Sequence, residues 1–322
     1  MRFIAILGFL LIAGATSAMA ADACPGHPNA LGTSRVLTIS PDEFARIGTM
    51  QYKQTLPLAD HEVVITFDDG PLPPYSDRIL DTLDAQCVKV TYFLVGQMAQ
   101  TYPWVVRRMY NDGHSIGTHS MHHPLGFERL DLARVTQEVD GGIAAVDAAI
   151  GDPKAVSPFF RIPGLGRSKV DEGLLASQHL VTWSADVVAD DWFRGISPQQ
   201  IVKRAMRRLN AKGRGILLLH DIHPATAMAL PTLLNELKSN GYHVVHVVAA
   251  GEHPASVPVI AATPGKGAWP RGLKTASLTG KNKPAAHHRA KRVAADKHHR
   301  SAGAKRKKPD FAAVHDRASH AF

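Results

Sequence analysis

The chain has 322 residues, of which 45% are apolar, enough to bury one large core or two modest ones. Its formal net charge of +9 is unevenly distributed, because residues 261–322 contain 15 Lys and Arg against 3 Asp and Glu. The rest of the chain holds 22 basic and 25 acidic residues. The basicity therefore belongs to the tail, and we expect no specific nucleic-acid partner. After the N-terminus, no apolar run is long enough to span a bilayer.

Residues 1–20 predict a secretory signal peptide. A basic residue precedes an apolar run over residues 3–13, and residues 18–20 read Ala-Met-Ala, a cleavage site of the A-x-A type. We therefore expect an exported protein, either periplasmic or secreted. Its two cysteines, Cys24 and Cys87, both lie in the exported part of the chain. They form either a disulfide, which an oxidising compartment favours, or two separate buried thiols.

Strand and helix patterns alternate regularly over residues 61–250. The lead-in at residues 21–60 is punctuated by Pro and Gly and has one short strand candidate, at 36–39. Strands are predicted at 62–67, 89–95, 114–118, 157–161, 180–184, 215–219 and 243–248. Helices are predicted at 75–86, 103–112, 131–150, 169–177, 198–210 and 225–240. Seven strands alternating with six helices indicate parallel βαβ units in an α/β domain, either an open doubly wound sheet or a closed barrel.

The C-terminal segment, residues 251–322, departs from this alternation. It is rich in Ala, Gly, Pro, Lys, Arg and His and has few large apolar residues. Such a composition buries too little apolar surface to offset the entropy of ordering, so we predict a disordered basic tail. The tail either contacts an anionic cell-wall or membrane surface or is a solvated extension without a partner.

The first candidate for chemistry is the pair of carboxylates that ends residues 63–70, VVITFDDG. The apolar, β-branched run predicts a strand buried on both faces, and Asp68 and Asp69 follow at its carboxyl end. Catalytic groups of parallel α/β barrels collect at these strand ends. An ordinary acidic turn, Asp-Asp-Gly-Pro, explains the octapeptide equally well, so the other motifs must decide.

A second motif follows the strand predicted at 114–118. His119 and His123 are four residues apart, which on a helical turn places both imidazoles on one face. Together with a carboxylate, two histidines make a metal site with three protein ligands and an open position. His122 lies between them in sequence and is interpreted as a neighbour that does not bind the metal.

Three further motifs end three other predicted strands. Arg161 precedes Pro163 and, in an otherwise apolar stretch, needs a carboxylate partner, which either aspartate of the first motif supplies. Residues 186–192 read DVVADDW, and residues 216–221 read ILLLHD, so that a buried strand ends at a titratable His220. Each motif is weak by itself, but their number and order are specific.

The ordered set TFDDG, HxxxH, RxP, Asp-Trp and LLLHD resembles the polysaccharide deacetylases of the NodB-homology type, also called carbohydrate esterase family 4. The resemblance covers residues 62–248. It implies a distorted (β/α)7 barrel, related to the TIM barrel, and so favours the closed barrel over the open sheet. It also implies a metal site in which Asp69, His119 and His123 hold a divalent ion, usually zinc, with cobalt or nickel as alternatives.

The resemblance assigns the remaining polar residues to acid–base roles. Asp68 would be the general base, oriented by Arg161, and His220 would be the general acid. A carboxylate of the fourth motif would tune His220. Asp191 matches this role best, and the alternatives are Asp186 and Asp190.

Trp192 and Leu218 would form the pocket for the acetyl group, and Pro163 would contribute to substrate binding. In the family an aromatic residue commonly follows this proline, whereas here the next residue is Gly164. The wall that contacts the sugar is therefore expected to differ.

The sequence thus predicts a monomeric, exported, metal-dependent hydrolase that removes N-acetyl groups from N-acetylglucosamine in a glycan. Chitooligosaccharide, peptidoglycan and an exopolysaccharide are the candidate substrates. Two alternatives stay open. One is an esterase that removes O-acetyl groups from a xylan-type polymer at the same site, and the other is a non-catalytic cell-wall-binding protein.

Overall fold

The computed structural model describes residue 24 and residues 27–152 and 155–251. The predicted signal peptide lies outside the described residues, as does the predicted tail beyond residue 251. The strands are β1 Thr33–Ile39, β2 Arg46–Ile47, β3 Glu62–Asp68, β4 Thr91–Leu94, β5 Ser115–Thr118, β6 Phe159–Arg161, β7 Val181–Trp183, β8 Val187–Val188, β9 Gly215–His220 and β10 His243–Ala249. The helices are α1 Tyr75–Ala85, α2 Gly96–Thr101, α3 Pro103–Asn111, α4 Leu132–Ile150, α5 Lys169–Ser177, α6 Pro198–Lys212 and α7 Pro224–Ser239.

All strand pairs described are parallel, and the sheet runs in the order β1-β10-β3-β4-β5-β6-β7-β2. The first half of segment 181–188, β7, pairs with β6, and its second half, β8, pairs with β9. Strand β9 also pairs with β3 along its whole length. Segment 181–188 therefore connects β6, near one end of the strand order, to β3 through β9. The result is the distorted barrel that the family resemblance implies, and not an open doubly wound sheet.

Strand β3 is buried over all seven residues, as its uninterrupted apolar pattern predicts. Its side chains alternate between two cores. Val63, Ile65 and Phe67 pack in a large cluster with the surrounding helices. Val64 packs in a second cluster, with Phe93 and other residues of the strands. Burial on both faces fixes the register of β3, and with it the position of the two aspartates at its end.

Local signals explain why the predicted helix bounds agree with the structure to within about two residues. Ser197 and Ser168 form capping boxes at the starts of α6 and α5. Asp131 caps α4 by accepting a hydrogen bond from the backbone N–H of Arg134. Helix α6 ends at Lys212 and is followed by Gly213, whose φ of 81° is accessible to glycine without strain.

Several short elements were not predicted. Strands β2 and β8 have only two residues each, and α2 has six, so none is long enough for a periodic pattern to emerge. The 3₁₀ turns at Phe127–Arg129 and Pro163–Leu165 are shorter than one helical repeat. These elements form because strands and helices elsewhere in the chain pack against them.

The described part of the lead-in packs onto the barrel. Strand β1 pairs with β10, and β2 pairs with β7. Cys24 and Cys87 form a disulfide across 63 residues, which resolves the two alternatives left open by the sequence. Closing a loop of this length stabilises the fold by about 4 kcal/mol in the chain-entropy account. Within the described ranges, the helices are too short or too polar to cross a bilayer.

Candidate active site

Four of the predicted site residues lie at or directly after the carboxyl ends of neighbouring strands. Asp68 ends β3 and lies opposite His220, which ends β9. Arg161 ends β6, and His119 directly follows β5. Residues up to 152 positions apart in sequence therefore meet at one mouth of the barrel.

Asp69, His119 and His123 form a compact group of potential metal ligands. One ligand atom from each residue lies within 4.8 Å of the other two. Oδ1 of Asp69 is 3.5 Å from Nε2 of His119 and 3.4 Å from Nε2 of His123. Of the described residues, only these three form such a group of His, Cys, Asp and Glu ligands. One carboxylate and two imidazoles suit a divalent transition-metal ion.

The orientation of His119 is fixed by the backbone. Its Nδ1 lies 2.6 Å from the carbonyl oxygen of Arg161 and donates a hydrogen bond to it, which leaves Nε2 facing Asp69. Burial, together with the neighbouring His123, lowers the pKa of His119 to about 3. The ring is therefore neutral at physiological pH, which is the form that binds a metal.

Asp68 is held by a buried ion pair. Nη1 of Arg161 donates hydrogen bonds of 2.6 Å to Oδ1 of Asp68 and 2.8 Å to the hydroxyl of Thr66, and Nη2 donates one of 3.0 Å to the Ser184 carbonyl. The guanidinium lies over the ring of Phe93, 4.2 Å from its centroid. Burial raises the pKa of Asp68 to about 6, although the charge of Arg161 opposes the shift. A carboxylate with such a pKa is suited to general-base chemistry near neutral pH.

His220 is paired with Asp191. Its Nδ1 is 2.8 Å from Oδ1 of Asp191, and its backbone N–H donates a 2.7 Å hydrogen bond to Oδ2. The hydroxyl of Thr226 also donates to Oδ2, at 2.7 Å. Burial alone would lower the pKa of His220, but Asp191 and the two aspartates of the first motif raise it to about 10. The indole of Trp192 packs edge-on against this imidazole, with 5.4 Å between the ring centroids.

Comparisons with known proteins identify the family of this chain. The family model described as "Polysaccharide deacetylase" matches residues 56–178. A peptidoglycan-N-acetylglucosamine deacetylase of Bacillus cereus is 31% identical over 191 residues, which cover 58% of this chain and 85% of that relative. The chain belongs to the polysaccharide deacetylase family. The peptidoglycan-N-acetylglucosamine deacetylase PgdA of Listeria monocytogenes is 32% identical over 188 residues, but the match spans only 38% of its length.

Solved structures of other polysaccharide deacetylases have the same fold. The peptidoglycan deacetylase Bd3279 of Bdellovibrio bacteriovorus superposes with a TM-score of 0.55 at 36% identity, over 60% of this chain and 54% of that one. The Bc1960 peptidoglycan N-acetylglucosamine deacetylase superposes with a TM-score of 0.55 at 25% identity, over 64% of this chain and 91% of that one.

The structure also separates the three candidate partners of His220. Only Asp191 is brought to it. Asp190 instead pairs with two arginines of α6, Arg204 and Arg208, at 2.9 and 2.7 Å.

Asp186 lies at the amino end of β9, where it accepts a hydrogen bond from the backbone N–H of Ile216. It also accepts hydrogen bonds from Thr49 and Thr55 of the lead-in. Ile216 precedes His220 by four residues, or about 13 Å along a strand. Asp186 therefore connects the lead-in to the sheet, and the predicted catalytic role for it has no geometric basis.

The three predicted substrate-binding residues lie in or next to the elements that carry the site residues. Leu218 precedes His220 by two residues and so faces the same side of β9. Trp192 follows Asp191 and packs against the imidazole of His220. Pro163 is buried in the 3₁₀ turn that follows Arg161. Their contacts with a substrate remain a prediction.

Asp221, for which the sequence indicates no role, packs against Gly70 at the end of the first motif. Its carboxyl is fully buried and accepts a 2.5 Å hydrogen bond from Ser76. Burial raises its pKa to about 7. A Cβ on Gly70 would lie 2.1 Å from both carboxylate oxygens, so only glycine fits directly after Asp69. Gly70 and Asp221 both belong to motifs that end predicted strands, but nothing in the sequence indicates that the two residues are in contact.

We expect Gly70→Ala to reduce the free energy of unfolding by about 1–3 kcal/mol, the usual cost of overpacking a core, because the new Cβ overlaps the Asp221 carboxylate. Urea denaturation measures this loss. Gly173→Ala is the matched control, since Gly173 lies in α5 with open space around its Cα, and we expect no loss there.

The three atoms nearest to the added Cβ all belong to Asp221. The double variant Gly70→Ala/Asp221→Ala should therefore lose less stability than the sum of the two single changes, by more than about 0.5 kcal/mol. Strictly additive losses would contradict this packing.

Proposed function

We propose that this polysaccharide deacetylase is a metal-dependent hydrolase that removes the N-acetyl group from N-acetylglucosamine units of peptidoglycan. One observation carries the proposal. A group of three candidate metal ligands, Asp69, His119 and His123, lies beside a buried carboxylate, Asp68, and the strand position of Asp68 is paired with that of His220, which contacts Asp191. Amide hydrolysis needs an activated water, stabilisation of the oxyanion and a proton for the leaving amine, and this arrangement offers a group for each.

Peptidoglycan is the substrate that the relatives favour among the three candidates. The relatives from Listeria and Bacillus cereus are named peptidoglycan-N-acetylglucosamine deacetylases. PdaC of Bacillus subtilis, at 29% identity, is named a peptidoglycan-N-acetylmuramic acid deacetylase. Because the glucosamine enzymes are the more similar, we propose N-acetylglucosamine as the deacetylated sugar.

The residues present fit a divalent metal ion, and we propose zinc. Asp69, His119 and His123 would hold it, since they supply one carboxylate oxygen and two imidazole nitrogens from buried or half-buried positions. When bound, such an ion lowers the pKa of a water molecule and polarises the acetyl carbonyl as a Lewis acid. The protein then needs only to remove a proton from the water and to supply one to the amine.

Asp68 would act as the general base. One of its oxygens is held by Arg161, whereas the other, Oδ2, points towards the metal ligands and lies 3.9 Å from Nε2 of His119. Because one oxygen is anchored, the second has a defined direction in which to accept a proton.

His220 would act as the general acid. Its raised pKa keeps the imidazole protonated at neutral pH, so a proton is available for the departing nitrogen. Asp191 holds Nδ1, which directs Nε2 towards the substrate and stabilises the positive charge of the ring.

A substrate in the cell wall requires that the enzyme work outside the cytoplasmic membrane. The disulfide between Cys24 and Cys87 supports an oxidising compartment, in agreement with the predicted export. Export by the signal peptide at residues 1–20, contact of the basic tail with an anionic surface and a monomeric state remain predictions.

We expect the purified protein to release acetate from peptidoglycan fragments that contain N-acetylglucosamine. A chelator should abolish the release, and added zinc should restore it, because the bound ion would supply the acidified water and the polarised carbonyl that hydrolysis needs. The assay compares these fragments with chitooligosaccharide, N-acetylmuramic acid units and acetylated xylan. Release from xylan alone would contradict the proposal in favour of the esterase, and no release by the zinc-bound protein would favour a wall-binding role.

We expect His220→Ala to reduce kcat on the order of 10²- to 10⁴-fold, the usual contribution of a positioned acid, without loss of bound zinc. Asp69→Ala is the comparison, since it should lose zinc as well as turnover. Steady-state kinetics and zinc content after dialysis measure the two effects. Full turnover by His220→Ala would remove this residue from the mechanism.

A further inference from the structure

The segment that carries both histidine ligands, residues 119–123, has a strained backbone. Ser120 and His123 have φ values of 67° and 52°, in the left-handed region that residues with a side chain rarely adopt. Such a conformation is strained and persists only where surrounding contacts hold it. The contacts that hold this segment therefore determine whether the ligands point correctly.

Helix α4 supplies several of these contacts through Glu138. Its side-chain Oε2 accepts a 2.8 Å hydrogen bond from the backbone N–H of His122, and its Oε1 lies 3.0 Å from Nδ1 of the same residue. Its backbone carbonyl accepts a 2.8 Å hydrogen bond from the N–H of Met121. Glu138 thus forms hydrogen bonds with the two residues that directly precede His123.

One turn further along α4, Gly142 allows the segment to lie against the helix backbone. A Cβ at this position would be 2.8 Å from the carbonyl carbon of Ser120, closer than real Cβ atoms come. The approach of the segment to α4 is therefore specific, and Glu138 lies at the point of contact.

A carboxylate is an unusual group for this face of the helix. Glu138 lies on the buried side of α4 with Val135 and Val139, and its side chain is only 6% exposed. Burying a carboxylate is costly unless hydrogen bonds compensate for the lost water. Both oxygens contact His122, whose own side chain is 59% exposed, so Glu138 orders the part of segment 119–123 that reaches the surface rather than filling the core.

We propose that Glu138 is a positioning residue of the metal site. By holding His122 and Met121, it fixes the direction of the His123 imidazole, whereas His119 is held separately by the carbonyl of Arg161. The proposal rests on the proposed function, because it presumes that the three ligands bind a metal ion. Glu138 itself does not touch the metal, the substrate or the reacting atoms.

The test measures zinc affinity by competition with a chromophoric chelator. We expect Glu138→Ala to weaken zinc binding by about 10- to 100-fold, the usual effect of removing a group that orients a ligand. Glu138→Gln retains an acceptor for the His122 N–H and should lose less affinity than Glu138→Ala. Asp140→Asn is the matched control, since Asp140 lies on the exposed side of the same helix, where it accepts a hydrogen bond from Gln178. We expect its zinc affinity to equal that of the wild type.

A second measurement separates positioning from ligation and from general damage to the fold. In the cobalt-loaded protein, the visible absorption reports the ligand set. It should be the same in Glu138→Gln as in the wild type once the site is saturated, whereas His123→Ala should change it. Thermal unfolding of the metal-free proteins shows whether each variant folds. If Glu138→Ala does not fold, the zinc affinity of Glu138→Gln tests the proposal.

The outcomes distinguish the two proposals. A wild-type protein that binds no zinc would overturn the proposed function. If the wild type binds zinc and the folded Glu138 variants bind it with the same affinity, only the proposed role of Glu138 would be overturned. A changed cobalt spectrum in Glu138→Gln would likewise contradict a role limited to positioning.

Discussion

The site depends on one buried cation. Arg161 is fully buried, and its guanidinium binds Asp68, the proposed base, together with Thr66 and the carbonyl of Ser184. Its own carbonyl oxygen accepts the hydrogen bond that orients His119, a proposed metal ligand. A single residue at the end of β6 therefore fixes groups from β3 and β5. Removing one partner of a buried ion pair typically lowers the free energy of unfolding by about 3–5 kcal/mol. The pair of Arg161 and Asp68 therefore contributes to the stability of the barrel as well as to the site.

Burial acts in opposite directions on the two proposed acid–base groups. It raises the pKa of Asp68 to about 6, because Arg161 compensates only part of the lost hydration. At His220, the charge of Asp191 and of the nearby aspartates outweighs burial and raises the pKa to about 10. Asp68 is therefore able to accept a proton at neutral pH while His220 retains one. Titratable groups with such different environments are typical of an acid and a base that work as a pair.

Most of the fold was predictable because the long elements have strong local signals, such as the apolar run of β3 and the capped helices α5 and α6. The polar motifs at the carboxyl ends of the predicted strands also indicated where the candidate site lies. What the sequence did not predict depends on contacts between distant residues. Spacing alone did not distinguish Asp186 from Asp191, since five residues separate two carboxylates with unrelated partners. Glu138 was hidden in an ordinary amphipathic pattern, and Asp221 acquires its role only where it meets Gly70.

The central claim, that this polysaccharide deacetylase binds a metal ion at the mouth of its barrel, is tested most directly by anomalous diffraction at the zinc edge from zinc-loaded crystals. The account predicts one peak enclosed by Asp69, His119 and His123, with ligand distances of about 2.0–2.2 Å to two imidazole nitrogens and a carboxylate oxygen. A peak bound by other residues, or its absence from the saturated protein, would contradict the account.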